Sequence, residues 1–380
     1  MKLELNKTWK LFFIVLAIAL LLRSYKLNEK EQGTDEKWTF IMTEQILDGT
    51  FLQEAGSRAH VPFFYALLAP FWLLSNKSVM VLRILVVLFG LISIVLTFIL
   101  AKRIFNEKIA LLSSFLLAFS PFHLMYSQHL RAYIFIMILF LISILLVIKY
   151  IETKNSKLFI PLTITYIIAF YSHLFAAFFI ISQFITLFAL KFLKLKEINL
   201  KPIIISGIIT FISWLFWIPI FIKQFQFNII EGGIKTISTL NPIHVPYTFY
   251  KYAVAMDFSY AVKNHIYVII LALILVLLVL YSFYKIFKES KRYFIILFGS
   301  LFLPVLLLAF IGIFFPVYSF RYFSYLIPIF MLALAKGIND IKNKSLKYTL
   351  LALTLIIWLI ILKVYWSVFT QFKWGYEFAI

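Results

Sequence analysis

The sequence predicts an all-α polytopic membrane protein with about 11 transmembrane helices and further juxtamembrane helices in the first loop between them. Of its 380 residues, 63% are hydrophobic and 14% are charged, whereas soluble domains are about half apolar and a quarter charged. The apolar runs are about 17–24 residues long, which is the length of a membrane-crossing helix. The strands of a membrane β-barrel would instead alternate over about ten residues.

The apolar runs divide the chain into candidate spans. They lie at about residues 9–27, 79–101, 109–126, 132–150, 158–172, 174–190, 202–222, 265–284, 293–315, 321–335 and 347–365. The first run resembles a signal peptide but lacks a small-residue cleavage site, so we interpret it as a membrane helix. A shorter stretch, Val61–Leu74, contains two prolines and is too short for a full crossing, which favours an interfacial or re-entrant helix.

The basic loops support this count of spans. With the N-terminus in the cytoplasm, every short loop rich in lysine and arginine falls on the cytoplasmic side, as the positive-inside bias requires. Counting Val61–Leu74 as a crossing would place most of these loops outside. The formal charge of +20 is therefore interpreted as an orientation signal, and nucleic-acid binding is not expected. We expect a multi-pass protein of the plasma (inner) membrane of a prokaryote.

We expect residues 1–380 to form a single transmembrane domain with two larger extracytoplasmic loops. The first, residues 28–78, is acidic and should contain amphipathic or re-entrant helices. The second, residues 223–264, has a turn signal at Gly232-Gly233 and an aromatic-rich remainder suited to the membrane surface. The chain has no cysteine, which excludes disulfides, thiolate catalysis and thiolate metal sites. It also lacks a phosphate-binding glycine motif and histidine pairs at metal-ligand spacing.

The adjacent acids Asp35 and Glu36 are the first candidate for chemistry. Acids beside a bilayer are costly unless water, a cation or a polar substrate solvates them. Neighbours on a helix point about 100° apart, so one carboxylate can act as a base while the other orients a partner or binds a cation. The alternative is the capped start of an amphipathic helix that runs to Leu47, with its acids stabilised by the helix dipole. A capped helix would also hold Asp35 rigidly.

A second polar stretch, Tyr126–Tyr133, lies between two spans on the same outer face and includes Gln128 and His129. Ser127 and Arg131 are four residues apart, so on a helix they share a face. An arginine with no acid nearby in sequence favours an anion, and its planar guanidinium matches phosphate. Snorkelling of Arg131 to lipid head groups is the alternative.

Weaker signals come from isolated residues at the outer membrane edge. Phosphate binding and snorkelling compete as interpretations of Arg83. His60 opens the short apolar helix, and His173 lies at the boundary of a span. Arg321-Tyr322 opens the tenth span, where an interfacial anchor pair is the alternative. Carboxylates and arginines on one face together predict a phosphate-bearing substrate attacked by an activated hydroxyl.

The motifs also follow a recognisable order. After the D-E pair come H-x-P at His60–Pro62, L-F-G at Leu88–Gly90, S-P-F-H-L-M-Y-S-Q-x-x-R-x-Y at Ser120–Tyr133 and Y-S-H-L-F at Tyr171–Phe175. This order resembles the GT-C superfamily of membrane glycosyltransferases, specifically the family 39-like group related to dolichyl-phosphate-mannose protein mannosyltransferases. The resemblance covers about residues 1–190. The chain departs from the family pattern at His129, where an acid is frequent, and at Val61, where proline is usual.

The resemblance implies a glycosyltransferase that moves a sugar from a polyprenyl-phosphate donor to an acceptor hydroxyl outside the cytoplasm, with inversion. Asp35 is then the catalytic base and Glu36 its partner. The candidates for the donor phosphate are Arg83, Arg131 and Arg321. The candidates for lining the substrate cavity are His60, Ser127, Gln128, His129, Tyr133, His173 and Tyr322.

The expected partners are the polyprenyl-phosphate sugar donor, a protein, lipid or glycan acceptor, and the lipid bilayer. The resemblance fixes no cofactor, and a divalent cation (Mg²⁺ or Mn²⁺) bridging Asp35 and the phosphate stays open. A polysaccharide polymerase or ligase is one alternative, because it would use arginines and a large outer loop without Asp35. A lipid-linked sugar transporter or flippase is another. It would need ionisable residues or broken helices near the bilayer midplane, whereas the polar residues here collect at one membrane edge.

Overall fold

The computed structural model describes residues 7–30, 32–57, 60–230 and 241–367, and these described ranges contain helices and no strand. The predicted turn at Gly232-Gly233 lies outside them. The first ten α-helices are α1 Lys7–Ser24, α2 Thr34–Leu47, α3 Phe51–Glu54, α4 Phe63–Leu74, α5 Val79–Ile104, α6 Glu107–Phe119, α7 Pro121–Ser127, α8 Tyr133–Thr153, α9 Phe159–Ser172 and α10 Ala176–Phe192. The remaining α-helices are α11 Leu200–Leu215, α12 Ile218–Phe225, α13 His244–Val254, α14 Phe258–Asn264, α15 Ile266–Glu289, α16 Lys291–Leu301, α17 Leu303–Gly312, α18 Ile327–Asn339 and α19 Lys344–Ser367.

Within the described ranges, six helical segments are long and apolar enough to cross a membrane, and two bent helix pairs raise this number to eight. The other three predicted spans fall on α1, α9 and α10. The protein is therefore an all-helical, multi-span membrane protein, as the sequence predicts. The total of eleven crossings stays a prediction.

Prolines explain where the two bent pairs break. The axes of α6 and α7 differ by 64°, and those of α11 and α12 differ by 65°. Proline occupies the first turn of both α7 and α12. Because proline lacks an N–H and its ring clashes with the carbonyl four residues earlier, it ends one helix and suits the start of the next. The first bend turns the chain into the polar stretch that begins at Ser127.

The first loop folds into short helices that pack on each other. Helix α2 ends at Leu47, as predicted, but its N-cap is Gly33 and no side chain forms the expected cap. Helix α4 occupies the short apolar stretch after His60. The rings of Phe40 and Trp72 stack 5.2 Å apart, and Trp72 Nε1 donates a 2.7 Å hydrogen bond to Glu44. These contacts fix α2 against α4.

Helix α18 lies at the centre of the bundle. Every residue from Ile327 to Ile338 is buried, including Lys336, and the run Ile327–Ala335 is apolar on all sides. The 3₁₀ segment Phe320–Leu326 leads directly into α18. This connection places Arg321 at the end of the bundle where α2 begins.

Candidate active site

The two neighbouring acids of α2 face different environments. The side chain of Asp35 is 36% exposed, whereas that of Glu36 is 1% exposed. Successive residues of a helix point about 100° apart, so the interior can receive only one of them. The pair is therefore one accessible carboxylate and one buried carboxylate.

Glu36 is the centre of a buried ion cluster. Its Oε1 accepts a 2.6 Å hydrogen bond from Lys30 Nζ, and its Oε2 accepts one of 2.8 Å from Arg83 Nη2. The backbone N–H of Leu130 also donates to Oε1, at 3.2 Å. Burial by itself would raise the pKa of Glu36, but Lys30 and Arg83 outweigh burial and lower the pKa to about 2. Glu36 is therefore an ionised structural partner.

This cluster corrects the role predicted for Arg83. Its guanidinium donates to Glu36 and, over 3.0 Å, to the carbonyl oxygen of Leu27. The residue is only 4% exposed. Because a buried carboxylate already engages Arg83, the geometry assigns it to the scaffold of α2 and not to a donor phosphate.

Asp35 lies among cationic and polar side chains drawn from distant parts of the chain. Arg321 Nη1 is 3.8 Å from Asp35 Oδ2, and His129 Nε2 is 4.0 Å from the same oxygen. Arg131 Nη1 donates a 3.3 Å hydrogen bond to the backbone carbonyl of Asp35. Burial would raise the pKa of Asp35, but Arg131 and the other neighbouring groups lower it below its usual value.

His129 is a neutral member of this group. Burial lowers the pKa of its imidazole to about 4, so it carries no charge at pH 7. The positive charges beside Asp35 at neutral pH are therefore the guanidinium groups of Arg131 and Arg321. Together with the carboxylate they form a site that can hold one further negative charge.

Aromatic rings extend from His129 along one side of the site. The ring of Tyr133 lies 5.4 Å from that of His173, which lies 5.8 Å from that of Tyr322. Tyr322 stacks on Phe175 at 3.8 Å. The structure thus brings four of the predicted cavity residues into one continuous row. His60 hydrogen-bonds through Nδ1 to the hydroxyl of Tyr65 at 2.8 Å and contributes to the electrostatic field at Asp35.

Ser127 and Gln128, also predicted to line the cavity, lie behind it. Both side chains are fully buried. Ser127 Oγ donates to the carbonyl of His123, and Gln128 Nε2 donates to the carbonyls of Arg23 and Tyr25. The Gln128 bonds anchor the turn that carries His129 and Arg131 to the end of α1, and the Ser127 bond lies within α7. The cavity role of both residues is therefore replaced by a supporting one.

Gly90 of the L-F-G motif has a structural role in the same region. A Cβ atom added at this position would lie 2.6 Å from Ser127 Oγ, closer than real Cβ contacts. Glycine therefore lets α5 approach the turn after α7. The L-F-G motif was recognised in the sequence, but its contact with Ser127 could not be predicted from it.

Lys30 is the site residue that sequence reasoning missed. It is 6% exposed and contacts both Glu36 and the carbonyl oxygen of Gln128. A lysine in an acidic loop is normally a solvated surface residue. The burial of Lys30 therefore depends on long-range packing, which the local sequence does not indicate. Its only sequence signal is its position six residues before Glu36.

An apolar cavity of about 280 Å³ adjoins the aromatic row. Tyr322 and Phe175 line both the row and this cavity, and the other walls come from α9, α10, α11, α12 and α17 and from the segments next to them. The cavity wall is almost entirely hydrocarbon and aromatic. An apolar chain can therefore occupy space next to the charged groups around Asp35.

A metal site is not evident in the part of the chain that the structure describes. No group of three or more histidine, aspartate or glutamate side chains there lies close enough to hold an ion. Asp35 is the accessible carboxylate, and the guanidinium groups of Arg131 and Arg321 lie beside it. Their charge opposes a divalent cation, which prefers several oxygen ligands.

Comparison with known proteins supports the resemblance seen in the motifs. Residues 59–217 match the family model described as dolichyl-phosphate-mannose-protein mannosyltransferase. No curated protein matches the chain.

The fold is shared with solved membrane proteins. The crystal structure of ArnT from Cupriavidus metallidurans bound to undecaprenyl phosphate aligns over 92% of this chain and 64% of its own, with a TM-score of 0.62 and 13% identity. The oligosaccharyltransferase AglB from Archaeoglobus fulgidus, in complex with an inhibitory peptide and a dolichol-phosphate, aligns over 98% of this chain and 55% of its own, with a TM-score of 0.56 and 13% identity. The chain thus spans less than two thirds of the length of either structure.

At 13% identity, the similarity to the solved structures shows a shared fold only. The motifs and the family match are the evidence that comes from the sequence. The fold extends over nearly the whole chain, and the family match covers residues 59–217, which is less than half of it. The family match supports the resemblance over residues 59–217, and the solved structures show that the fold is shared.

Proposed function

We propose that this protein is a glycosyltransferase that moves a sugar from a polyprenyl-phosphate donor to an acceptor hydroxyl on the extracytoplasmic side of the membrane. One arrangement carries the proposal: an ionised, accessible Asp35 lies beside Arg131 and Arg321, next to an apolar cavity. A base, an anion site and space for a hydrocarbon chain are the three parts that such a donor and such a reaction require.

The proposed reaction is a single displacement. Asp35 accepts the proton of the acceptor hydroxyl as its oxygen attacks the anomeric carbon. The bond between that carbon and the phosphate oxygen breaks, and the phosphate leaves with the electron pair. Arg131 and Arg321 stabilise the charge that develops on it. The products are the glycosylated acceptor and the polyprenyl phosphate, and Asp35 releases its proton to water.

The leaving group explains why one carboxylate is sufficient. A phosphate is already a stable anion, so its departure needs no strong general acid. Glu36 cannot supply one, because Lys30 and Arg83 hold it in its ionised, buried form. Inversion at the anomeric carbon follows from attack on the face opposite the phosphate.

The apolar cavity lined by Tyr322 and Phe175 suits the first isoprene units of the donor. The two aligned structures hold undecaprenyl phosphate and a dolichol-phosphate, which agrees with this choice of donor. Tyr133 and His173 then adjoin the sugar. Because the residues around Asp35 fit a divalent cation poorly, we propose that the reaction proceeds without a metal.

The orientation of the site rests on the distribution of basic residues. The lysine- and arginine-rich loops favour a cytoplasmic N-terminus, which places α2 and Asp35 outside. We propose the plasma membrane of a prokaryote as the location. The acceptor is a protein, lipid or glycan hydroxyl.

Transfer from radiolabelled polyprenyl-phosphate sugars in isolated membranes tests the proposal. Asp35→Asn keeps the shape but removes the base, and we expect the rate to fall by about 10²–10⁴-fold at equal expression. Asp48→Asn is the matched control, because Asp48 is an exposed acid at the other end of α2. Undiminished transfer by Asp35→Asn would overturn the role of Asp35. A wild-type protein that transfers from no donor in a panel of neutral, acidic and amino sugars would contradict the proposed function.

A further inference from the structure

Lys30 is a buried cation in a loop whose other charged residues are mostly solvated. It is 6% exposed, and its Nζ lies 2.6 Å from Glu36 Oε1 and 2.6 Å from the carbonyl oxygen of Gln128. Removing an ammonium group from water is costly, and close contacts of this kind must offset the cost. The position of Lys30 is therefore tightly defined by both partners.

The two partners of Lys30 belong to the two elements that form the site. Glu36 lies in the first turn of α2, directly after Asp35. Gln128 precedes the turn that carries His129 and Arg131. The ammonium group thus joins the helix that carries the base to the segment that carries a phosphate-binding arginine. Two further hydrogen bonds run between the same elements, from Thr39 Oγ1 to the carbonyl of Leu130 and from the Leu130 N–H to the Glu36 carboxylate.

Charge neutralisation does not by itself account for Lys30. Arg83 already contacts Glu36 at 2.8 Å and supplies the opposite charge that a buried carboxylate requires. A second cation leaves the cluster of Lys30, Glu36 and Arg83 with an excess positive charge. An apolar side chain at position 30 would avoid the cost of burying it. Lys30 instead fixes the orientation of the Glu36 side chain, because its ammonium group contacts both Glu36 and the Gln128 carbonyl.

We propose that Lys30 is a positioning residue for sugar transfer, acting through Glu36 to set the direction in which Asp35 faces the acceptor and the arginines. This inference rests on the proposed function. The rotation of α2 about its axis decides where both acids point, since they are adjacent on the helix. With Lys30 in place, Glu36 is held inward and Asp35 is held toward Arg321.

The kinetic test compares Lys30→Met with Lys77→Met. Methionine is similarly long and unbranched but uncharged, and Lys77 is an exposed lysine of the same loop, paired with Glu44. Misplacing a reacting group by about 1 Å costs about 100-fold, so we expect Lys30→Met to lower kcat by about that factor with the donor KM unchanged. Lys77→Met should transfer at the wild-type rate. An unchanged kcat, or a raised donor KM with normal kcat, would overturn the positioning role.

Rescue by a conservative variant separates charge from bulk. Lys30→Arg retains the cation, and we expect its kcat to lie above that of Lys30→Met. Equal losses in both variants would contradict a role for the positive charge. Should Lys30→Met not yield folded protein, Lys30→Gln keeps one donated hydrogen bond, and we expect it to show the same selective fall in kcat.

A second measurement needs no donor and so distinguishes failure of this inference from failure of the proposed function. The chain has no cysteine, so one introduced at Met42 is a unique thiol. Met42 is 1% exposed on the packed face of α2. Lys30→Met should accelerate maleimide labelling at this position, and Lys77→Met should not. Equal labelling in all backgrounds would refute the control of α2 by Lys30, whether or not any sugar is transferred.

Discussion

Arg321 Nη1 lies 3.8 Å from Asp35 Oδ2, although the two residues come from opposite ends of the chain. The contact forms because the segment Phe320–Leu326 leads into the central helix α18 at the end of the bundle where α2 begins. The proposed base and one of the two arginines beside it therefore come together only when the whole bundle closes. Substitutions at this contact should affect chemistry more than stability.

Arg321→Gln is expected to reduce transfer strongly. Removing one group that stabilises developing negative charge costs about 10²–10³-fold in kcat. Donor binding should also weaken, because a phosphate loses one of its two guanidinium partners. Initial rates over a range of donor concentrations measure both effects. Arg292→Gln is the control, since Arg292 packs on Tyr293 in the first turn of α16 and is not part of the site. Equal rates in the two variants would exclude Arg321 from the site.

Glu36→Gln is expected to destabilise the fold, because it leaves Lys30 and Arg83 buried without a counter-charge. Breaking a buried pair of this kind costs about 3–5 kcal/mol in the free energy of unfolding. Thermal unfolding in detergent measures the change. The control is Glu197→Gln, which interrupts the exposed pair with Lys154 and should alter the melting temperature little.

The pH dependence of stability provides an independent check on Glu36. Its pKa is lowered from 4.5 to about 2 in the folded protein, so its contribution is complete above pH 4.5. That contribution is lost as the pH falls from 4.5 toward 2, because the unfolded chain then binds the proton more readily. The melting temperature of the wild type should fall through this window, and that of Glu36→Gln should fall less. Parallel curves would mean that Glu36 is not held as a buried anion.

Removal of divalent cations is expected to leave transfer unchanged. The charges of Arg131 and Arg321 already occupy the place beside Asp35 that a cation would take. The measurement is the transfer rate in membranes treated with EDTA, with and without added Mg²⁺ or Mn²⁺. A rate that disappears with EDTA and returns with either ion would show that a metal takes part.

The orientation of the protein can be tested with single thiols in the cysteine-free chain. Lys37 is exposed on α2, and Lys342 is exposed in the loop before α19. A membrane-impermeant maleimide applied to intact cells should label Lys37→Cys and should reach Lys342→Cys only after the membrane is opened. The reverse pattern would place the site on the cytoplasmic face.

Asp35, His129, Arg131 and Arg321 could be selected from the sequence because each is a polar residue next to apolar spans. Placing a polar side chain there is costly unless it is solvated or binds a partner. The structure brings these four together. It also shows that Arg83, predicted to bind the donor phosphate, pairs instead with Glu36 from a different helix. Nothing in the local pattern of either residue could indicate that partner.

The all-helical membrane fold can be derived from the sequence alone, because the length and apolarity of each run are local properties that the bilayer selects. The end of α2 at Leu47 also agrees with the sequence prediction. Tertiary packing alone selects which acid of the Asp35-Glu36 pair is accessible. That choice depends on the rotation of α2, which contacts with Lys30, Arg83 and the Leu130 backbone set, and these contacts exist only after distant helices have packed.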